Sequence, residues 1–171
     1  MSSAIEETLR QTQGLVAKGD VATADQLCSK LFEQLSEDKR FRADGAKFPE
    51  VEAVNESALK LILSFAEIYK NIGNAWYARG DAARAIAAYM KAIKLKPDYA
   101  DIYNNLGIVH QAKGNISKAI EAFERALGLK PNFAKAQRNF GGLLWAIGDF
   151  PRATACLEKA IQFDPNQAEF Y

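Results

Sequence analysis

Apolar residues recur along this chain in steps of three and four, the spacing of helices that each bury one stripe. Between Ala66 and Pro165 the stripes come in pairs, and each pair returns at the same interval. Gly73, Gly107 and Gly141 stand 34 residues apart, as do Gly80, Gly114 and Gly148. So do Ala85, Ala119 and Ala153, then Ala92, Ala126 and Ala160, and finally Pro97, Pro131 and Pro165. A fixed period of this length marks a stacked array of supersecondary units.

Each unit follows one plan. Helix A is predicted over 66–79, 100–113 and 134–147, and Gly80, Gly114 or Gly148 ends it, because glycine accepts a left-handed backbone. Asp81, Asn115 or Asp149 then caps helix B, predicted over 82–95, 116–129 and 150–163. Helix B stops before Pro97, Pro131 or Pro165, which cannot continue it. Asp98, Asn132 or Asn166 follows as a cap for the next helix A, and Asn166 with Glu169 has the spacing of a reciprocal N-cap pair. The mid-helix glycines each cost about 1 kcal/mol against alanine. That cost makes sense where a neighbouring helix comes too close for a Cβ, with Ala85, Ala119 and Ala153 filling the contact from helix B.

Upstream, residues 4–37 read as two amphipathic helices, marked by Ile5, Leu9 and Val16 and then by Val21, Ala24, Leu27, Cys28, Leu31, Phe32 and Leu35. Gly19-Asp20 between them supplies a stop and an N-cap. Gly19, Ala24 and Cys28 match positions of the later unit, so 1–38 is read as a degenerate repeat. The charged stretch around 39–48 (EDKRFRADGAK begins at Glu37) reads as a solvated loop. From Pro49 an apolar line through Val51, Val54, Ala58, Ile62 and Phe65 to Tyr69, Ile72 and Trp76 predicts one long helix. Residues 49–65 form its extension into the first clear unit, with Asn55–Ser57 as the place for a break.

The pattern Tyr69-x2-Ile72-Gly73-x2-Trp76 followed by Ala85, Tyr89, Ala92 and Pro97 resembles the tetratricopeptide repeat. Tyr103, Leu106, Gly107, Ala119, Phe123, Ala126 and Pro131 carry the resemblance through the second unit, and Phe140, Gly141, Leu144, Ala153, Ala160 and Pro165 through the third. Gln137 and Leu157 depart from it. The resemblance implies an all-α, right-handed solenoid of antiparallel helix pairs, with repeats at 66–99, 100–133 and 134–167 and a further helix starting at 168–171. Tyr171 stands where Tyr69 and Tyr103 do, so the chain is read as a fragment or as having an end that another molecule covers.

In that family the A helices line a concave groove for peptides or proteins. The resemblance places Lys70, Asn71, Asn74, Tyr77, Asn104, Asn105, Gln111, Lys135, Arg138, Asn139 and Trp145 on that face, beside Glu67, Asp101 and Ile108. Asn71, Asn105 and Asn139 share one position, and an amide that both donates and accepts can hold an extended backbone without reading its sequence. The column is similar to the asparagine ladder in the repeats of O-linked N-acetylglucosamine transferases. Lys70, Asn74, Asn105 and Lys135 also match four positions of the carboxylate clamp of chaperone adaptors. The fifth is Asn139 where a cation is expected, and Arg138 is turned about 100° away around the helix.

Composition narrows the partner classes. The chain carries 22 basic and 21 acidic residues, a formal net charge of +1, so no global field draws it to nucleic acid or an anionic membrane. No apolar run reaches the 18 or so residues a membrane span needs. Met1–Glu7 has neither the basic start nor the apolar block of a signal peptide, and a cytoplasmic location is the simplest inference. Cys28 and Cys156 form no metal-ligand spacing and read as two small buried hydrophobes. His110 sits at the core position of Trp76 and Leu144, and no catalytic set, phosphate loop or cofactor motif accompanies it. The expected function is non-catalytic: an interaction module taking a peptide segment of a protein partner, with no metal or cofactor. The alternatives are a substrate-recruiting arm of a larger enzyme such as a glycosyltransferase, a scaffold that self-associates through its C-terminal end, and a carboxylate-clamp chaperone adaptor.

Overall fold

The computed structural model describes residues 3–37 and 56–165. They form eight α-helices: α1 (Ser3–Ala17), α2 (Val21–Glu37), α3 (Glu56–Ala78), α4 (Ala82–Leu95), α5 (Ala100–Ala112), α6 (Ile116–Leu129), α7 (Ala134–Ala146) and α8 (Phe150–Phe163). The chain divides into two compact units, Met1–Pro97 and Asp98–Tyr171. The charged loop at 39–48, the stretch of long helix before Glu56, the Asn166–Glu169 cap pair and the helix start at 168–171 lie outside the described residues. Among those described, no helix is long and apolar enough to cross a membrane.

In the first unit α1 and α2 bury Ile5, Leu9, Val21, Ala24, Cys28, Leu31 and Leu35. Gly19 turns the chain between them at φ +83°, and the Asp20 carboxylate accepts the backbone N–H of Thr23 at 3.3 Å. Thr12 is fully buried at an apolar position, which its hydroxyl tolerates by donating to the Thr8 carbonyl at 2.8 Å. Helix α2 then meets α3 through Phe32, edge-on to Phe65 at 5.5 Å and to Tyr69 at 6.4 Å. A polar strap ties in α4. Lys91 donates to Asp25 at 3.2 Å and to Ser29 at 3.0 Å, and its ammonium lies 5.0 Å from the Tyr69 ring centre. Cys28 lies beneath this strap, and burial pushes its thiol up to about 12. It stays protonated and packs as a small hydrophobe. Cys156, expected to match it, is only half-buried.

The second unit repeats one hairpin. Ala119 and Phe123 of α6 pack with Phe140, Leu143 and Leu144 of α7 and Ala153 of α8. Ala126 packs with Ala100 of α5, with Phe133 just before α7 and with Ala136 of α7. The mid-helix glycines are where a side chain of the paired helix leaves no room for a Cβ. A Cβ on Gly107 would stand 2.6 Å from the Phe123 ring, one on Gly73 2.5 Å from the Tyr89 ring, and one on Gly141 2.9 Å from Leu157. The intruding group is therefore the large residue four positions after the repeated alanine, not the alanine itself. At Gly141 the alanine contributes too, through the Ala153 carbonyl at 3.3 Å.

The helix caps correct the sequence reading in two places. Asp81 and Asp149 accept the N–H groups of Arg84 and Arg152 at 3.0 and 3.3 Å, but Asn115 makes no side-chain cap. The residues before α5 and α7 are Tyr99 and Phe133, not Asp98 and Asn132. The proline turn runs one residue further, with the Ala100 and Ala134 N–H groups donating to the Asp98 and Asn132 carbonyls at 3.2 and 3.1 Å.

Candidate peptide-binding face

On α3 the predicted residues sit on one side of the helix with their own local partners. Lys70 pairs with Glu67 one turn earlier. Asn74 is exposed, and its carbonyl oxygen accepts the Tyr89 hydroxyl at 2.7 Å. The Tyr89 ring is buried in the hairpin core, so its hydroxyl reaches through to the helix A face and fixes Asn74 there. Asn71 and Tyr77 are half-buried. The Trp76 ring has two guanidinium groups over it, Arg84 at 4.5 Å and Arg79 at 5.7 Å, with its indole N–H buried and unpartnered.

In the second unit the asparagines form a chain. Asn139 on α7 donates to the Asn104 carbonyl oxygen on α5 at 2.9 Å, and Asn104 donates to Asn105 at 3.3 Å. Asn104 itself is buried, 1% exposed. Its placement among the contact residues is therefore corrected. Asn104 orients Asn105 and Asn139 from below, and those two are half-buried. A buried amide that finds two amide partners avoids the penalty of an orphaned polar group. Satisfied in this way, it fixes the planes of both neighbours.

The rest of the α7 face follows at helical spacing. Lys135 is exposed and Arg138 half-buried. Gly142 leaves open space, with nothing within 4 Å of where a Cβ would stand. Trp145 comes next, 57% exposed, with its ring edge-on to Phe150 at 4.9 Å. Gln111 on α5 is half-buried. Chemically this is a surface of oriented amides with cations on one side, an aromatic pair on the other, and open space at Gly142. Phe150 was not anticipated, since its repeat equivalent, Ile116, is a partly buried core residue.

His110 is half-buried with Nδ1 unpartnered, and burial together with Lys118 and Lys113 lowers its pKa below the ordinary histidine value. Glu121 opposes that shift only weakly. Among the described residues no three histidines, cysteines or acids gather where they could hold a metal ion.

Comparison with known proteins matches three family models: "TPR repeat" over residues 73–114, and "Tetratricopeptide repeat" over 100–133 and again over 134–167. No curated protein sequence matches the chain significantly. Among solved structures, MamA is similar at 26% identity and a TM-score of 0.56, covering 93% of this chain and 97% of that one. The first TPR of Spaghetti (RPAP3), solved with the HSP90 peptide SRMEEVD, superposes at a TM-score of 0.58 and 22% identity over 61% of this chain and 82% of its own. The TPR domain of OM64 from Arabidopsis gives 0.58 and 23% over 61% and 87%. The last two likenesses are of fold alone.

Proposed function

The chain belongs to the tetratricopeptide-repeat family, and from that premise we propose that it is a non-catalytic interaction module. It holds an extended segment of a partner protein along α5 and α7 of its second unit. The observation that carries this reading is the buried Asn104 spending its amide on Asn105 and Asn139. Two amides oriented on adjacent A helices offer hydrogen-bonding groups to the backbone of an extended segment. They need no particular side chain from the ligand. Lys135, Arg138 and Gln111 flank them, and the gap at Gly142 beside Trp145 accepts one apolar side chain. On α3, Lys70, Asn71, Asn74 and Tyr77 offer the same chemistry. The Tyr89 hydroxyl anchors Asn74 as Asn104 anchors Asn139.

A terminal carboxylate is the less favoured ligand. Lys70 is engaged with Glu67, and the position that should supply another cation carries Asn139, already bonded to Asn104. The test is a peptide selected from a displayed library against the chain and titrated by calorimetry. Asn139→Ala should weaken it about tenfold, the worth of one well-made hydrogen bond. Amidating its C-terminus should leave affinity unchanged. Equal binding to Asn139→Ala and Asn105→Ala would overturn the amide reading, and loss on amidation would replace it with a carboxylate clamp.

A further inference from the structure

On each A helix the residue one turn before the asparagine of the column carries a charge: Glu67 on α3, Asp101 on α5 and Lys135 on α7. An opposite charge three places further along the same helix can neutralise it. Glu67 is neutralised in this way by Lys70. The second unit differs. The corresponding partner of Asp101 is Asn104, which is buried and spends its amide on Asn105 and Asn139. The corresponding partner of Lys135 is Arg138, a like charge. Asp101 and Lys135 are both exposed, and neither takes part in an ion pair among the described residues.

These two opposite charges occupy matching places on helices that touch, since Asn139 on α7 reaches Asn104 on α5. Packed helix axes lie about 8–10 Å apart and an extended chain advances about 3.3 Å per residue, so a segment crossing both helices meets the two charges about three residues apart. We propose that Asp101 and Lys135 select the segment held on the amide face. It carries a basic and an acidic side chain about three residues apart, the base over Asp101 on α5 and the acid over Lys135 on α7. The inference rests on the amide reading of this face, in which the amides hold the backbone and leave the side chains to these two residues. A uniformly acidic segment would meet the Asp101 carboxylate and a uniformly basic one the Lys135 ammonium, so like charge disfavours both.

The probe is a displayed library of random peptides selected on the full chain, and the enriched peptides are titrated by calorimetry. Their sequences should carry opposite charges about three residues apart. Asp101→Lys and Lys135→Asp should each weaken an enriched peptide about threefold to tenfold, as expected when an exposed ion pair becomes a like-charge contact. The same peptide with its acid and base exchanged should bind the parent weakly and recover on the double variant. Asp101→Asn and Lys135→Gln, which remove charge without reversing it, should fall in between. Both residues are exposed, so all these variants should melt close to the parent. The proposal is overturned if the enriched peptides carry no such pair, or if exchanging their charges leaves affinity for the parent unchanged. Asn139→Ala reports on the amide face separately. Binding that ignores Asn139→Ala but follows the two charges would remove the amide reading and keep the charge pair, and the reverse pattern would remove the charge pair alone.

Discussion

The α5–α6 and α7–α8 hairpins share one glycine inside helix A, one glycine between the helices, two alanines on helix B and the proline after it, and they use them differently. In the first, Gly107 admits the Phe123 ring, which is fully buried and stacked on Phe140 at 5.8 Å. In the second, Gly141 admits Leu157, which is only half-buried. Its neighbours Trp145, Ile147 and Phe150 lie exposed. Small residues at fixed spacing set how closely two helices approach. Whether that approach makes a closed core depends on the large residues between them and on a following helix to cover α6 or α8.

Truncating the two central side chains should separate the hairpins most. Phe123→Ala should cost about 3–5 kcal/mol as a fully buried ring, while Leu157→Ala should cost less, about 1–2 kcal/mol, because the side chain is only partly buried. Urea denaturation of both variants checks this, and equal losses would mean the hairpins are equally closed. The glycines come next. Gly107→Ala forces a Cβ against the Phe123 ring and should destabilise by about 1–3 kcal/mol. Gly142→Ala enters open space within a helix and should stabilise by up to about 1 kcal/mol. Opposite shifts in melting temperature are the expected signature.

The caps give a smaller contrast. Asp149→Ala removes a made hydrogen bond and should cost about 1 kcal/mol, whereas Asn115→Ala removes none and should move the denaturation midpoint by a few tenths of that. The smallest effect is one of pH. His110 holds a lowered pKa in the fold, through burial and the nearby Lys118 and Lys113, so the unfolded chain takes up its proton first as pH falls. Its contribution is complete above the unfolded value near 6.5 and is lost as pH drops through the lower folded value. Melting temperature should therefore fall more steeply between pH 7 and 5 in the parent than in His110→Leu, which carries the residue found at position 144.

Much of this was legible because the repeat shows the same physical demand several times. Helix B was placed at its observed limits, since glycine and proline bound it on both sides. The A helices end one residue earlier than expected, at Ala78, Ala112 and Ala146. The turn into the left-handed glycine already uses the residue before it. Asn104 was misplaced for a different reason. Its repeat equivalents, Lys70 and Arg138, are long cations whose charged ends can reach solvent, and only the short amide at that position sinks and finds two partners. The tie between Asn74 and the Tyr89 hydroxyl was hidden in the same way. It depends on one oxygen atom that Phe123 lacks, and periodicity treats the two rings as alike.

The most direct measurement follows the side-chain amide resonances of Asn105 and Asn139 by NMR while a library-selected peptide is titrated to saturation. Both amide signals should shift in step with calorimetric occupancy, and the amides on α8 should stay where they are. A saturated complex that leaves Asn105 and Asn139 unmoved while α8 shifts would contradict the claim that the oriented amides of the A helices hold the partner.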